Sequence, residues 1–170
     1  MVGSARCPIC RSPHARLGRR APLDALRAFP RALAAAVLRA PRGRLARRPR
    51  PREWSVTEVL GHLLDAEVTL GFRVRKAAAE PRSAMVAWDQ EKWTHGLRHR
   101  GADARLTLAA FAALRAANVA LARRLSPAQR RLGGRHPEYG TLRVEQMLAH
   151  FAEHDLDHLE QIRRALRAGA

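Results

Sequence analysis

Three histidines, His150, His154 and His158, stand four residues apart in the stretch Leu148-Ala-His-Phe-Ala-Glu-His-Asp-Leu-Asp-His-Leu159. On a helix each step of four residues turns by about 40° and rises about 6 Å. Neighbouring members of the series can therefore aim their rings at one point. The outer two lie about 12 Å apart along the axis, so either His150 or His158 falls outside a shared centre. A fourth, His62, sits in an apolar stretch between Leu60 and Leu63. Two histidines at HxxxH spacing on one helix and a third from a facing helix make a three-nitrogen site. Neutral imidazoles suit Zn, Ni, Fe or Mn. Three protein ligands leave positions open for water or substrate, as in catalytic rather than structural centres. The motif is not HExxH, because Asp155 stands where that pattern has Glu, and its shorter side chain reaches less far as a general base.

Other residues could support such a site. Asp65 follows His62 by three and Gln161 follows His158 by three, so each shares a helix face with a candidate ligand. His136 lies in a Gly-rich stretch before the last histidines and could line a pocket mouth. Glu58 is close to His62 but is expected to serve as a helix cap. His14, His95 and His99 show no partner pattern and are expected in solvent. Cys7-Pro-Ile-Cys10 followed by His14 is half of a zinc-ribbon pattern. A closed zinc site needs four ligands, and no second cysteine pair exists, so residues 1–20 are read as a flexible basic tail.

The elements that must position these residues are helical. Leu23, Leu26, Phe29, Leu33 and Val37 recur at three- and four-residue steps. Pro30 interrupts the ladder, which predicts one kinked helix or two short ones. Ser55-Val-Thr-Glu58 is a capping box, and the helix it opens ends near Glu80, before Pro81. Its apolar stripe is read to include Phe72. Residues 81–102, with Trp88 and Trp93, are too long for a turn and predict a crossover connection. Asp103 caps a third helix running to Leu125, with Leu106, Leu108 and Phe111 on its inner face. Residues 133–140 read as a Gly-rich loop without the Gly-Lys-Ser/Thr of a phosphate loop. A fourth helix spans Leu142 to Arg167. No stretch alternates with period two for long enough to demand a strand. The expected fold is all-α, an antiparallel four-helix bundle over residues 21–170.

Composition limits the function classes. The chain has 170 residues, 46% hydrophobic and 28% charged, as expected of one globular domain. No apolar run approaches the roughly 20 residues of a membrane span, and arginines interrupt every apolar segment near the N-terminus, so a cytoplasmic protein without membrane partners is expected. Two cysteines cannot build a disulfide scaffold. The net charge is +17, but residues 1–52 hold fourteen arginines against Asp24 alone. The densest run, Arg39 to Arg52, is broken by Pro41, Gly43, Pro49 and Pro51 and carries no interleaved aromatics. That argues for a solvated loop with weak polyanion attraction, and against specific nucleic-acid recognition.

Taken in order, several segments resemble the DinB/YfiT-like superfamily. They are Trp54-Ser-Val-Thr-Glu-Val-Leu-Gly-His62-Leu-Leu-Asp65-Ala-Glu67 with Arg73, and His154-Asp-Leu-Asp-His158-Leu-Glu-Gln161-Ile. Trp88-Asp-Gln90, Phe111 with Arg115, and Gly134-Arg-His136-Pro-Glu-Tyr-Gly-Thr-Leu142 fit between them, and the likeness runs from about residue 21 to 168. The resemblance implies an up-down-down-up four-helix bundle with a long crossover. It implies one divalent metal held by His62, His154 and His158, which makes His150 a neighbour. It also implies a homodimer, and an activity on a small molecule. Thiol transfer with a low-molecular-weight thiol such as mycothiol, bacillithiol or glutathione is the first expectation, and metal-dependent hydrolysis the second. A non-catalytic metal-binding or polyanion-binding protein is the remaining alternative. The Cys7/Cys10 tail and the Arg-rich loop depart from the family pattern.

Overall fold

The computed structural model describes residues 6–168. Four long helices form the bundle: α1 (Pro22–Val37), α3 (Val56–Ala79), α5 (Ala104–Arg124) and α7 (Val144–Ala168). Three short helices lie in the connections: α2 (Arg42–Leu45), α4 (Gln90–Gly96) and α6 (Pro127–Arg131). A 3-10 turn covers His99–Gly101, and an antiparallel hairpin joins β1 (Gly133–His136) to β2 (Gly140–Arg143).

Local chemistry sets the helix starts. The Ser55 hydroxyl accepts from the Glu58 amide while the Glu58 carboxylate accepts from the Ser55 amide, the reciprocal capping box expected there. The Asp103 carboxylate takes the amides of Arg105 and Leu106 to open α5. Of the two outcomes expected at Pro30, the structure has the single helix, α1 running through it. A proline leaves the carbonyl four residues earlier without its helical partner. Here that carbonyl belongs to Leu26, and Arg115 Nη1 donates to it at 3.2 Å.

Helix directions follow from pairings along their lengths. Glu67 meets Arg115 and Gly71 lies against Asn118, so α3 and α5 run parallel. Asp24 pairs with Arg123 and Phe29 packs on Phe111, so α1 opposes α5. His62 meets His154 while Leu70 and Val74 share a cluster with Met147 and Leu148, so α3 opposes α7. The order is up-down-down-up. Both α1 and α3 pack mainly on α5 and α7, and so face each other across a diagonal.

The core falls into two apolar clusters, one around Leu60, Phe111 and Ile162 and the other around Leu70, Met147 and Phe151. Between them sits Arg115, 2% exposed. Its Nε donates to Glu67 Oε2 at 2.7 Å, and its Nη1 and Nη2 to Asp155 at 2.5 and 3.2 Å. With the bond to Leu26 this one side chain touches all four helices. Asn118 Nδ2 completes the cluster on Glu67 Oε1 at 2.8 Å.

Three expectations are corrected. Leu106 and Phe72 are 71% and 52% exposed. The buried arc of α5 instead runs through Thr107, Leu108, Phe111, Arg115, Asn118 and Ala122, so polar residues occupy places that an apolar pattern ignores. The Gly-rich stretch is a hairpin, not an irregular loop. Its strands are four residues each, too short to show alternation, and they are held from outside. Met85 donates to the Arg135 carbonyl at 2.8 Å and Arg135 to that of Ser83 at 2.9 Å. A Cβ on Gly134 would stand 2.9 Å from the Ser83 carbonyl oxygen, so the close approach requires glycine. Among the described residues, α5 alone has the length and apolar composition of a membrane span. It lies between α1 and α3 with Arg115 and Asn118 turned inward.

Candidate metal centre

His62 enters from the second turn of α3, and His154 and His158 from successive turns of α7. The Nε2 atoms of His62 and His154 lie 3.1 Å apart, as do those of His154 and His158. Arg115 of α5 holds the two helices in register by bonding both Glu67 of α3 and Asp155 of α7, the latter one residue from His154. The His158 Nδ1–H donates to Gln161 Oε1 at 2.6 Å, which leaves its Nε2 as a bare lone pair. His62 lies against Trp88, with ring centroids 5.5 Å apart and planes 21° from parallel, and against Trp54 at 5.1 Å. His154 rests on Phe151. The Nδ1 atoms of His62 and His154 have no protein partner, so packing orients these two rings.

Burial pushes His62 down to about 3 and His158 below its ordinary value, and holds His154 well below. All three are neutral at pH 7. Three lone-pair nitrogens converging this closely repel one another unless a cation stands among them. Nitrogens bound tetrahedrally at 2.0–2.1 Å are spaced by about 3.3 Å, close to the 3.1 Å seen. The residues therefore fit a divalent ion, and the donor set is uncharged.

His154 borders two openings. One is a groove of about 610 Å³ with Trp54, His158 and Gln161, the basic residues Arg50, Arg52 and Arg164 and the acidic Glu53 and Glu91 along it. The other, about 250 Å³, is lined by His62, Arg73, Trp88, His136, Tyr139 and His150. His136 lies at the wall of this second opening, where its Nε2 accepts from Arg73 at 3.0 Å. Arg73, also bonded to the Val86 carbonyl at 2.7 Å, anchors that wall.

Asp65 does not support the ligands. Its Oδ2 pairs with His99 Nε2 at 2.6 Å. His99 is correspondingly not in solvent, since it presses on α3 where Gly61 has no side chain. A Cβ there would meet His99 Cγ at 2.2 Å. His150 lies outside the three-nitrogen group, with its Nδ1 3.6 Å from Cys7 Sγ. Residues 6–20, read as a tail, lie on α7: Cys7 and Leu17 are buried, and the amides of Arg16 and Leu17 each donate to Glu153 at 2.7 Å.

Sequence reasoning overlooked Arg115, the residue that ties the helices together. The signal was present, since Glu67, Arg115 and Asp155 each interrupt an apolar stripe. Arg48 was counted with the solvated loop, yet it forms an ion pair with the buried Glu58.

Comparisons with known proteins agree with this geometry. Residues 25–162 match the family model described as the DinB superfamily. A protein of Oceanobacillus iheyensis named "Putative metal-dependent hydrolase" is 27% identical over 109 residues, covering 64% of this chain and 63% of that protein. The match thus spans less than two thirds of that relative's length. A protein of Halalkalibacterium halodurans with the same name is 23% identical over 117 residues, 69% of this chain and 68% of that one. The structure of YfiT from Bacillus subtilis, described as a "probable metal-dependent hydrolase with an unusual four-helix bundle topology", superposes with a TM-score of 0.81 at 24% identity, over 91% of this chain and 86% of that one. With four-fifths of its length matched by the family model and the same bundle topology, the chain belongs to the DinB superfamily.

Proposed function

We propose that this protein is a metal-dependent enzyme acting on a small molecule, with one divalent ion held by Nε2 of His62, His154 and His158. The observation that carries this is the convergence of three neutral nitrogens with no carboxylate among them. Uncharged ligands leave the ion its full charge, so that when bound it acidifies a protic ligand such as a thiol or water. Gln161 fixes the ring of His158, and Trp54 and Trp88 keep water from one side of His62. Arg52 and Arg164 beside Gln161 suit a substrate or cosubstrate bearing a carboxylate, Arg50 being paired with Glu53.

Thiol transfer is favoured over hydrolysis by the state of the nearby carboxylates. Glu58 is bonded to Arg48, Asp65 to His99, Glu67 and Asp155 to Arg115, and Glu153 to backbone amides. Each of these is committed, and in the groove Glu53 pairs with Arg50 and Glu91 accepts from Trp54 Nε1. Glu138, at the smaller opening, is left to serve the hydrolytic reading as a general base, which a metal-held thiolate does not need. Hydrolysis by a metal-bound water is the second reading, supported by the relatives' names. Elemental mass spectrometry of protein purified without chelator tests the site. It should find about one equivalent more in the wild type than in His62→Ala/His158→Ala. A wild type that keeps no metal there, even after reconstitution, rules the reading out. A loaded protein is then screened with small thiols and electrophiles against ester and amide substrates.

A further inference from the structure

Cys7, Cys10 and His14 are not explained by the three-histidine centre, and neither is His150. The structure brings them together. One candidate ligand atom from each of the four lies within 4.8 Å of all the others. Cys7 Sγ and His150 Nδ1 are 3.6 Å apart. A sulfur at 2.3 Å and a nitrogen at 2.0–2.1 Å on a tetrahedral ion are separated by about 3.5 Å. His14 Nε2 is buried and has no hydrogen-bond partner. The Ile9 amide donates to Cys7 Sγ at 3.4 Å and fixes the direction of the sulfur.

The backbone is shaped to present these atoms. Arg11 donates to the Cys7 carbonyl at 2.9 Å, and Cys7 to that of Ser12 at 3.1 Å, closing a tight loop around Cys10. Arg11 adopts a left-handed φ of 57° to complete it. The loop has no regular secondary structure, and three of the four ligands come from it. The fourth comes from α7. Immediately after the loop, the amides of Arg16 and Leu17 grip Glu153, and Arg16 pairs with Asp157 at 2.5 Å. The segment is thus strapped along α7 from His150 to Asp157.

We propose that Cys7, Cys10, His14 and His150 bind a second divalent ion of the zinc class in a closed four-ligand site that fastens the N-terminal segment to α7. Two thiolates and two imidazoles select a borderline-soft ion and leave no position open for substrate. The site is structural. It lies one helical turn from the three-histidine centre, the rings of His150 and His154 being 5.9 Å apart. It holds Ile9 and His150 in place as walls of the smaller cavity beside that centre.

The test uses cobalt in place of zinc, on reduced full-length protein. Thiolate-to-cobalt charge transfer in the near ultraviolet can arise only where sulfur binds the metal, so it reads this site regardless of whether the three-histidine centre loads. The wild type and His62→Ala/His158→Ala should both show the band, and Cys7→Ser/Cys10→Ser should lose it together with about one equivalent of zinc. His150→Ala, which keeps both sulfurs, should weaken retention of the ion at least about tenfold against a chelator. No band in the reconstituted wild type overturns the proposal. So does an affinity unchanged by His150→Ala, or a Cys7–Cys10 disulfide that, once reduced, still takes up no metal. The wild-type spectrum needs no variant to fold.

Discussion

Gln161 touches no other candidate ligand, yet it decides which nitrogen of His158 carries the proton. Partners of this kind typically set metal affinity by a factor of about 10–100. Gln161→Leu should therefore weaken metal binding by about that factor in a chelator competition, with the thermal midpoint of the metal-free protein almost unchanged. Equal affinity would mean that packing alone orients His158, as it does for His62 and His154. The low basicity of those two rings has the same origin as their orientation. Burial against Trp54, Trp88 and Phe151 removes the water that would stabilise an imidazolium, so protons do not compete with a cation at neutral pH.

At the scale of elements, the start of α3 is a charged device rather than a simple cap. Burial opposes ionisation of Glu58, but hydrogen bonds from Arg48 and from the Ser55 amide and hydroxyl outweigh it and hold the carboxyl at about 2, down from 4.5. A depressed acid contributes stability above its unfolded value and loses it as the pH falls through the folded one. The contribution here, roughly 3 kcal/mol from the size of the shift, should be complete above about pH 4.5 and disappear towards pH 2. Urea midpoints of Glu58→Gln should accordingly sit below wild type at pH 7 and converge with it near pH 2. Parallel curves would show that the pair contributes nothing. The α3 cap was legible in Ser55-Val-Thr-Glu58 because a capping box is local. So were the Pro81 boundary and the Asp103 cap. The hairpin was not, because strands of four residues with two glycines carry no period, and their support comes from residues 82–85. His14 was not legible as a ligand either, because its partner His150 lies on the last helix. The series on the last helix was visible because HxxxH is local, but spacing left His150 and His158 as equals. The family resemblance chose His158 and set His62 with it, and in the structure His150 turns to Cys7 instead. Asp65 failed as a ligand support because its partner, His99, is on a connection that helix spacing does not describe.

For the whole molecule, the Arg115 cluster is the tie. Replacing one partner of a buried ion pair typically costs about 3–5 kcal/mol, since it leaves charge buried without compensation. Arg115→Met should lower the unfolding midpoint correspondingly. It should also change the pH response. Burial raises Asp155 to about 6 even against the opposing charge of Arg115. Removing the guanidinium pushes it further up, so the variant should gain more stability than wild type as the pH drops from 7 to 5, and calorimetry at the two pH values reads this directly. A loss that is the same at both would mean that the cluster acts through shape alone. The diagonal placement of α1 and α3 has a consequence for how the molecule comes into being. A nascent chain leaving the ribosome presents α1 first, with Leu26, Phe29, Leu33 and Val37 bare, and α3 next, but these two are not neighbours. The surfaces that cover α1 belong to α5 and α7, and α7 follows the other three long helices in the chain. Neither the tie through Arg115 nor either cluster of candidate ligands can close before α7 emerges, so folding of the bundle waits for its fourth long helix.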